Sequence, residues 1–266
     1  MDNRGIGVFD SGVGGLTVCS SLHKLLPQED IYYFGDLAHV PYGNKSKKLI
    51  QHYSMQIAKF LMEKNIKMLV IACNTATAYA LEYLEEYLDI PVIGVVIPGA
   101  KEAVRVSKTR KIGIIGTVGT VNSEAYIDAI YKEDHEVKLF QKACPLFVPI
   151  IEEGILEGNI AEEVIRHYLT EISEEVDTLV LGCTHYPLLK KTISNTLGKN
   201  IVFVDSAAVV AKSVYWQLKK SQMLNSKREG KLEFYVSDSP KMFANFLKHL
   251  EFEESRYTIT EVNLEN

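Results

Sequence analysis

The sequence has no run approaching the ~20 apolar residues of a membrane span; its nearest candidate, residues 90–100, is interrupted by Pro91, Gly94, Pro98 and Gly99. Cysteine is scarce. The four cysteines, at positions 19, 73, 144 and 183, form no Cys-x-x-Cys pair and no Cys/His zinc spacing, so no metal site is implied and free thiols in a reducing compartment are expected. Positive charge is not in excess: 29 Lys and Arg against 34 Asp and Glu give a net charge of −5, with no footprint for nucleic acid or an anionic membrane. Arg4 is the one basic residue before the apolar segment that starts at Ile6 and stops at Asp10. That is too short for a signal-peptide core, and a cytoplasmic location is expected. No low-complexity segment is present.

What remains is an ordinary soluble composition, 47% hydrophobic and 24% charged over 266 residues, enough for one or two domains with real cores. Two stretches organise it. Residues 68–80 read MLVIACNTATAYA and residues 178–187 read TLVLGCTHYP; Cys183 follows Cys73 by 110 positions. An apolar run ending in small and polar residues reads as a buried parallel strand feeding a loop and a helix. The repeat extends outward. Ile112-Gly113-Ile114-Ile115 echoes Ile6-Gly7-Val8-Phe9, residues 137–142 echo 31–36, and 202–204 echo 92–94. The expected fold is therefore α/β, two similar lobes each with a mostly parallel sheet flanked by helices, related by a pseudo-two-fold repeat. Pro98-Gly99 reads as a hinge or linker, and the helical face carrying His52 as packing. Segment 223–230 reads as an exposed polar loop. Strands at 232–236 and 256–262 and a helix at 240–250 form a tail without a counterpart in the repeat.

In open α/β sheets ligands bind outside the carboxyl ends of the strands, and both cysteines stand there. A thiol at that position also meets the N-terminus of the next helix, where unpaired N–H groups attract negative charge. Inverting a carbon by proton exchange needs a base on one face and an acid on the other, and a thiolate and a thiol can fill and exchange these roles. Polar neighbours are available. Asp10 ends the strand expected beside Cys73, while His185 lies two residues past Cys183 and Glu152 is placed to orient it. Ser11, Tyr42, Asn74, Thr75, Thr117 and Thr184 are neutral donors suited to a small zwitterion, and Pro41 and Gly43 fix the turn that carries Tyr42. The turn Gly12-x-Gly14-x-x-Thr17, with Asp36 beyond it, also comes near a dinucleotide fingerprint, but the third glycine is missing and Asp10-Ser11 sets a carboxylate in the way of a pyrophosphate.

These residues, as Phe9-Asp10-Ser11-Gly12-Val13-Gly14-Gly15-Leu16-Thr17, Gly35-Asp36 with Pro41-Tyr42-Gly43, Ala72-Cys73-Asn74-Thr75, Val148-Pro149-Ile150-Ile151-Glu152 and Gly182-Cys183-Thr184-His185-Tyr186-Pro187, closely resemble the bacterial glutamate racemases over essentially the whole chain. The resemblance implies a cofactor-independent isomerase that interconverts L- and D-glutamate by a two-base mechanism and supplies D-glutamate for peptidoglycan. It implies that Cys73 takes the α-proton of D-glutamate with Asp10 assisting, and that Cys183 takes that of L-glutamate with His185 and Glu152 assisting. Substrate-binding positions fall on Ser11, Pro41, Tyr42, Gly43, Asn74, Thr75 and Thr184, and more loosely on Thr117. It further implies a first lobe of 1–97 plus 208–266, with the tail folded back on it, and a second lobe of 98–207. The active site is expected in the cleft between them, in a homodimer that needs neither metal nor cofactor. Two departures stand out: His39 where many relatives have arginine, and Ser237-Asp238 in place of a common Gly-Asp.

Three alternatives stay open on the sequence. Aspartate and hydantoin racemases and maleate isomerase share the two-cysteine plan. A thiol hydrolase using Cys183 and His185 leaves Cys73 without a role. A two-lobed amino-acid-binding protein needs neither thiol.

Overall fold

Residues 2–198, 200–226, 229–248, 250, 252 and 257–264 are described by the structure, a computed structural model. The chain divides into two units, Met1–Val95 with Ala207–Asn266, and Val96–Ser206. The first opens with β1 (Gly5–Asp10), α1 (Leu16–Leu25), β2 (Ile31–Gly35), α2 (Lys47–Glu63), β3 (Ile66–Ile71), α3 (Asn74–Tyr87) and β4 (Val92–Gly94). Every residue of β1 and β3 is buried, as strands covered by helices on both faces must be. Ile6, Val8, Met68 and Val70 pack on one face with α1; Phe9, Leu69 and Ile71 pack on the other against α2 and α3.

The second unit contains α4 (Val96–Val106), β5 (Lys111–Gly116), α5 (Val118–Asn122), α6 (Ala125–Glu133), β6 (Lys138–Ala143), α7 (Phe147–Glu152), α8 (Asn159–Glu175), β7 (Thr178–Gly182), α9 (Lys190–Leu197) and β8 (Val202–Val204). Its sheet packs Ile112, Ile114 and Val180 on one face and Ile115, Leu179 and Leu181 on the other. The chain rejoins the first unit at Ala207, with α10 (Ser206–Lys220), β9 (Leu232–Val236), α11 (Pro240–Leu247) and β10 (Tyr257–Glu261).

Two sheets result, one ordered β10-β9-β2-β1-β3-β4 and the other β6-β5-β7-β8, and the strand pairs in both are parallel. The core order of the first, β2-β1-β3-β4, is repeated by the whole of the second, so the repeat read in the sequence is a repeat of topology. Strands β9 and β10 extend the first sheet beyond β2, where Ile31 pairs with Leu232 and Gly35 with Val236. Among the described residues no helix is long and apolar enough to cross a membrane.

Three local expectations are corrected. Pro98 and Gly99 form no linker; both are buried within the first turns of α4. Proline is tolerated there because the early N–H groups of a helix have no internal acceptor, and a Cβ on Gly99 would come within 3.2 Å of the Tyr126 hydroxyl, so the glycine permits close approach of α6. His52 is exposed rather than packed. The 223–230 segment is not simply exposed: Asn225 is buried, and residues 227 and 228 lie outside the described residues. The reason is Lys67, a fully buried lysine on β3 whose Nζ donates to Glu29 Oε2 at 2.6 Å, to the Met223 carbonyl at 2.7 Å and to the Asp2 carbonyl at 2.8 Å. Glu29 Oε1 in turn accepts the Asn225 N–H at 2.7 Å. A buried charge requires such a complete set of partners, and the segment after α10 supplies part of it.

Candidate active site

In the first unit β1 ends at Asp10, whose side chain is fully buried. The turn into α1 is tight. Asp10 Oδ2 accepts the Gly12 N–H at 2.9 Å, and the buried Tyr33 hydroxyl donates to the Gly12 carbonyl at 2.8 Å. Gly15 must be glycine, since a Cβ would overlap the side chains of Asp10 and Ala72. Burial pushes the Tyr33 phenol well above its usual pKa, and the charges of Asp10, Cys19 and Cys73 add to the effect; it is a donor at any ordinary pH.

Cys73 follows β3 and caps α3. Its Sγ accepts the Ala76 N–H at 3.5 Å, and its thiol lies 3.6 Å from Ser11 Oγ as donor. The sulfur therefore sits in the positive potential of a helix start. Asn74 and Thr75, both buried, are the first two residues of α3, whose N–H groups have no acceptor inside the helix. The structure begins this helix three residues before the 77 expected from periodicity because the cysteine itself is the cap.

Beyond β2 a short 3₁₀ turn at Tyr42–Asn44 follows Pro41, which is joined to Val40 by a cis peptide. Tyr42 is buried and its hydroxyl donates to Asp36 Oδ2 at 2.6 Å. Burial, then the charge of Asp36 and this hydrogen bond, raise its phenol well above the usual value, with smaller contributions from Cys73 and Asp10. Gly43 is buried beside it. The dinucleotide alternative finds no cradle here, because the Gly12 N–H is taken by Asp10 and the Asp36 carboxylate by protein donors.

In the second unit Cys183 follows β7 at the same sheet position. Cys183 is 8% exposed, Thr184 7% and His185 4%, a cluster of polar groups withdrawn from water that calls for partners. Cys183 Sγ lies 3.9 Å from His185 Nδ1, and His185 Nε2 lies 3.5 Å from Glu152 Oε1. Glu152 is the last residue of α7, a helix the sequence did not reveal, and its side chain is half-exposed. The buried Tyr186 hydroxyl donates to the Cys144 carbonyl at 3.0 Å, tying the turn after β7 to the segment entering α7. Thr117 caps α5 by accepting the Thr120 N–H at 3.2 Å.

Each unit thus assembles its own share of the expected residues: Asp10, Ser11, Cys73, Asn74 and Thr75 with the Pro41-Tyr42-Gly43 turn in one, and Glu152, Cys183, Thr184 and His185 in the other, with Thr117 at the end of the strand beside β7. Against known proteins, a family profile for Asp/Glu/hydantoin racemases matches residues 6–214. The chain belongs to this racemase family. It is 50% identical to a glutamate racemase of Geobacter metallireducens over 245 residues, 91% of each chain. It is similar in structure to glutamate racemase isoform RacE1 of Bacillus anthracis, with a TM-score of 0.94, 37% identity and 99% of each chain covered. A glutamate racemase of Francisella tularensis, solved in complex with D-glutamate, matches with a TM-score of 0.91 at 38% identity, covering 100% of this chain and 99% of that one. Membership makes the chain an isomerase of the amino-acid racemase kind.

Sequence reasoning about this racemase gave no role to two buried tyrosines at the site. Tyr33 and Tyr186 are hydrophobic-pattern residues whose hydroxyls act on loop carbonyls, and pattern alone reports only the ring. Asp36, weighed in the sequence only against a dinucleotide fingerprint and as part of the Gly35-Asp36 motif, stands one residue past the end of β2, at the functional edge of the sheet.

Proposed function

We propose that this chain interconverts L- and D-glutamate without a cofactor, using Cys73 and Cys183 as the two acid–base groups. Supporting this is the equivalence of the two thiols: each follows the third strand of an identically ordered sheet and touches a second polar group, Ser11 at 3.6 Å or His185 at 3.9 Å. From D-glutamate, the Cys73 thiolate takes the α-proton, the electron pair left on carbon delocalises into the α-carboxylate, and the Cys183 thiol returns a proton to the opposite face. From L-glutamate the roles reverse. After each turnover the two sulfurs have exchanged protonation states. Asp10 assists proton transfer at Cys73; His185, oriented by Glu152, assists at Cys183. The N–H groups and hydroxyls of Ser11, Asn74, Thr75 and Thr184 hold the carboxylates and ammonium of the substrate, with Pro41, Tyr42, Gly43 and Thr117 completing the pocket.

In the cell this activity supplies D-glutamate for peptidoglycan synthesis in the cytoplasm, and the working form is a homodimer. Incubation with L- or D-glutamate in deuterated water, without added cofactor, is the test. Solvent exchange at Cα with loss of optical rotation is expected. Exchange with aspartate and none with glutamate would replace the substrate; no exchange with any amino acid would end the racemase reading.

A further inference from the structure

Asp36 lies outside the groups given a role above, yet it is a buried carboxylate, 2% exposed, encircled by donors from three places in the chain. Tyr42 donates to Oδ2 at 2.6 Å. Ser237, just past the end of β9 in the tail, donates to Oδ1 at 2.8 Å. His39 Nδ1 lies 2.8 Å from Oδ1 and 3.0 Å from Oδ2, and its ring stacks on Tyr53 at a centroid separation of 4.0 Å. The Ser237 hydroxyl is itself fixed, accepting the Ala38 N–H at 2.9 Å, while the Ser237 N–H donates to the Gly35 carbonyl at 3.1 Å.

With its hydroxyl proton committed to Asp36, Tyr42 can donate to a substrate carboxylate only from its backbone. The N–H groups of Tyr42 and Gly43 are the first of the 3₁₀ turn and have no acceptor within it. Their position is therefore set by the phenol–carboxylate bond, and the aim of that carboxylate is set by His39 and Ser237. We infer that His39 and Ser237 are positioning residues that act through Asp36 to hold the Tyr42–Gly43 N–H groups against a substrate carboxylate. This rests on the proposed function. One contributes a ring nitrogen and the other a hydroxyl to the same carboxylate.

A contact made equally to the bound substrate and to the transition state alters KM more than kcat. Ser237→Ala should therefore raise KM for both enantiomers of glutamate about threefold to tenfold, a fraction of the effect of one charge-assisted hydrogen bond because it reaches the substrate through Asp36 and Tyr42, with kcat changed less than about twofold. Ser237→Thr, which keeps the hydroxyl, should restore most of the loss. Tyr42→Phe should raise KM as well, and the Tyr42→Phe/Ser237→Ala pair should add less than the product of the single effects. An unchanged KM in Ser237→Ala, an equal rise in Ser237→Thr, or full multiplicativity in the double variant would each overturn the inference. If wild-type protein shows no exchange with glutamate, the proposed function fails instead, and the same comparison is made on whichever amino acid it does racemise.

Discussion

Cys73 and Cys183 occupy the same station on two sheets that share a four-strand core order, but their polar surroundings are drawn from different places. Around Cys73 they come from a neighbouring strand: Ser11 and the buried Asp10 belong to the turn after β1, locked by the Gly12 N–H and by Tyr33. Around Cys183 the partner is local, His185 two residues on, and its second nitrogen faces Glu152 from α7. The repeat preserves the framework that sets a thiol at a strand end and leaves the loops free to equip it. On the proposed mechanism one thiol would be served by a dehydrated carboxyl group, the other by an imidazole whose carboxylate partner is half in water. The two directions of the proposed proton transfer would then be separately vulnerable.

The largest test of this equivalence is removal of either sulfur. Cys73→Ala and Cys183→Ala are each expected to lower racemisation by at least ~10³-fold, since each deletes an obligatory proton carrier; polarimetry with enantiopure glutamate checks it. If one variant kept near-normal turnover, the two thiols would not be equivalent partners. The next largest effects separate the two halves. Asp10→Asn and His185→Asn should each lower kcat by ~10²-fold. Because the enantiomers have equal free energy, kcat/KM must fall equally in both directions, so the asymmetry has to be sought in isotope effects. Asp10→Asn should enlarge the primary deuterium effect on α-deuterated D-glutamate, and His185→Asn that on the L-enantiomer. Identical effects in both variants would erase the distinction between the halves.

Glu152→Gln should be milder, about tenfold in kcat, because the carboxylate is half-exposed and its contact to His185 is long at 3.5 Å. A loss as large as that of His185→Asn would mean that the imidazole depends wholly on it. The smallest effects compare the two buried tyrosines. Burial, before any charge, raises both phenols, Tyr33 near Asp10 and Tyr186 near Cys183. In each case the folded pKa lies above the unfolded value of about 10. The resulting stability is fully present below pH ~10 and is lost as pH rises from there toward the folded value. Tyr33→Phe and Tyr186→Phe should each cost about 1 kcal/mol at neutral pH, by stranding the Gly12 or Cys144 carbonyl. Each should also flatten the alkaline decline in thermal midpoint, which a pH series of melting curves would reveal.

Much of this was legible in sequence because the repeat is carried by strands. A buried parallel strand imposes an apolar run, and a run that ends in Cys at matching intervals is readable without a fold. The residues near Cys73 and Cys183 in sequence were found for the same reason. The hydrogen-bonding tyrosines were not, since a buried phenol and a buried phenylalanine make the same pattern. Nor was α7, whose six residues are too few to display a helical period. The bond from Ser237 to Asp36 spans 201 residues, and such a contact leaves no mark on local spacing. Pro98-Gly99 misled because that dipeptide punctuates loops more often than it opens helices, and burial against Tyr126 overrode the preference.

The return of the chain to its first sheet also orders events during synthesis. When the ribosome has made the first 95 residues, the initial sheet has only four of its six strands, and the outer edge of β2 is bare. The intervening unit, by contrast, is contiguous and can mature while the remainder is still being translated. Until residue 223 emerges, the ammonium of Lys67 has Glu29 and the Asp2 carbonyl but lacks the third of its oxygen acceptors. The segment made after the second unit thus completes the burial of a charge laid down in the first.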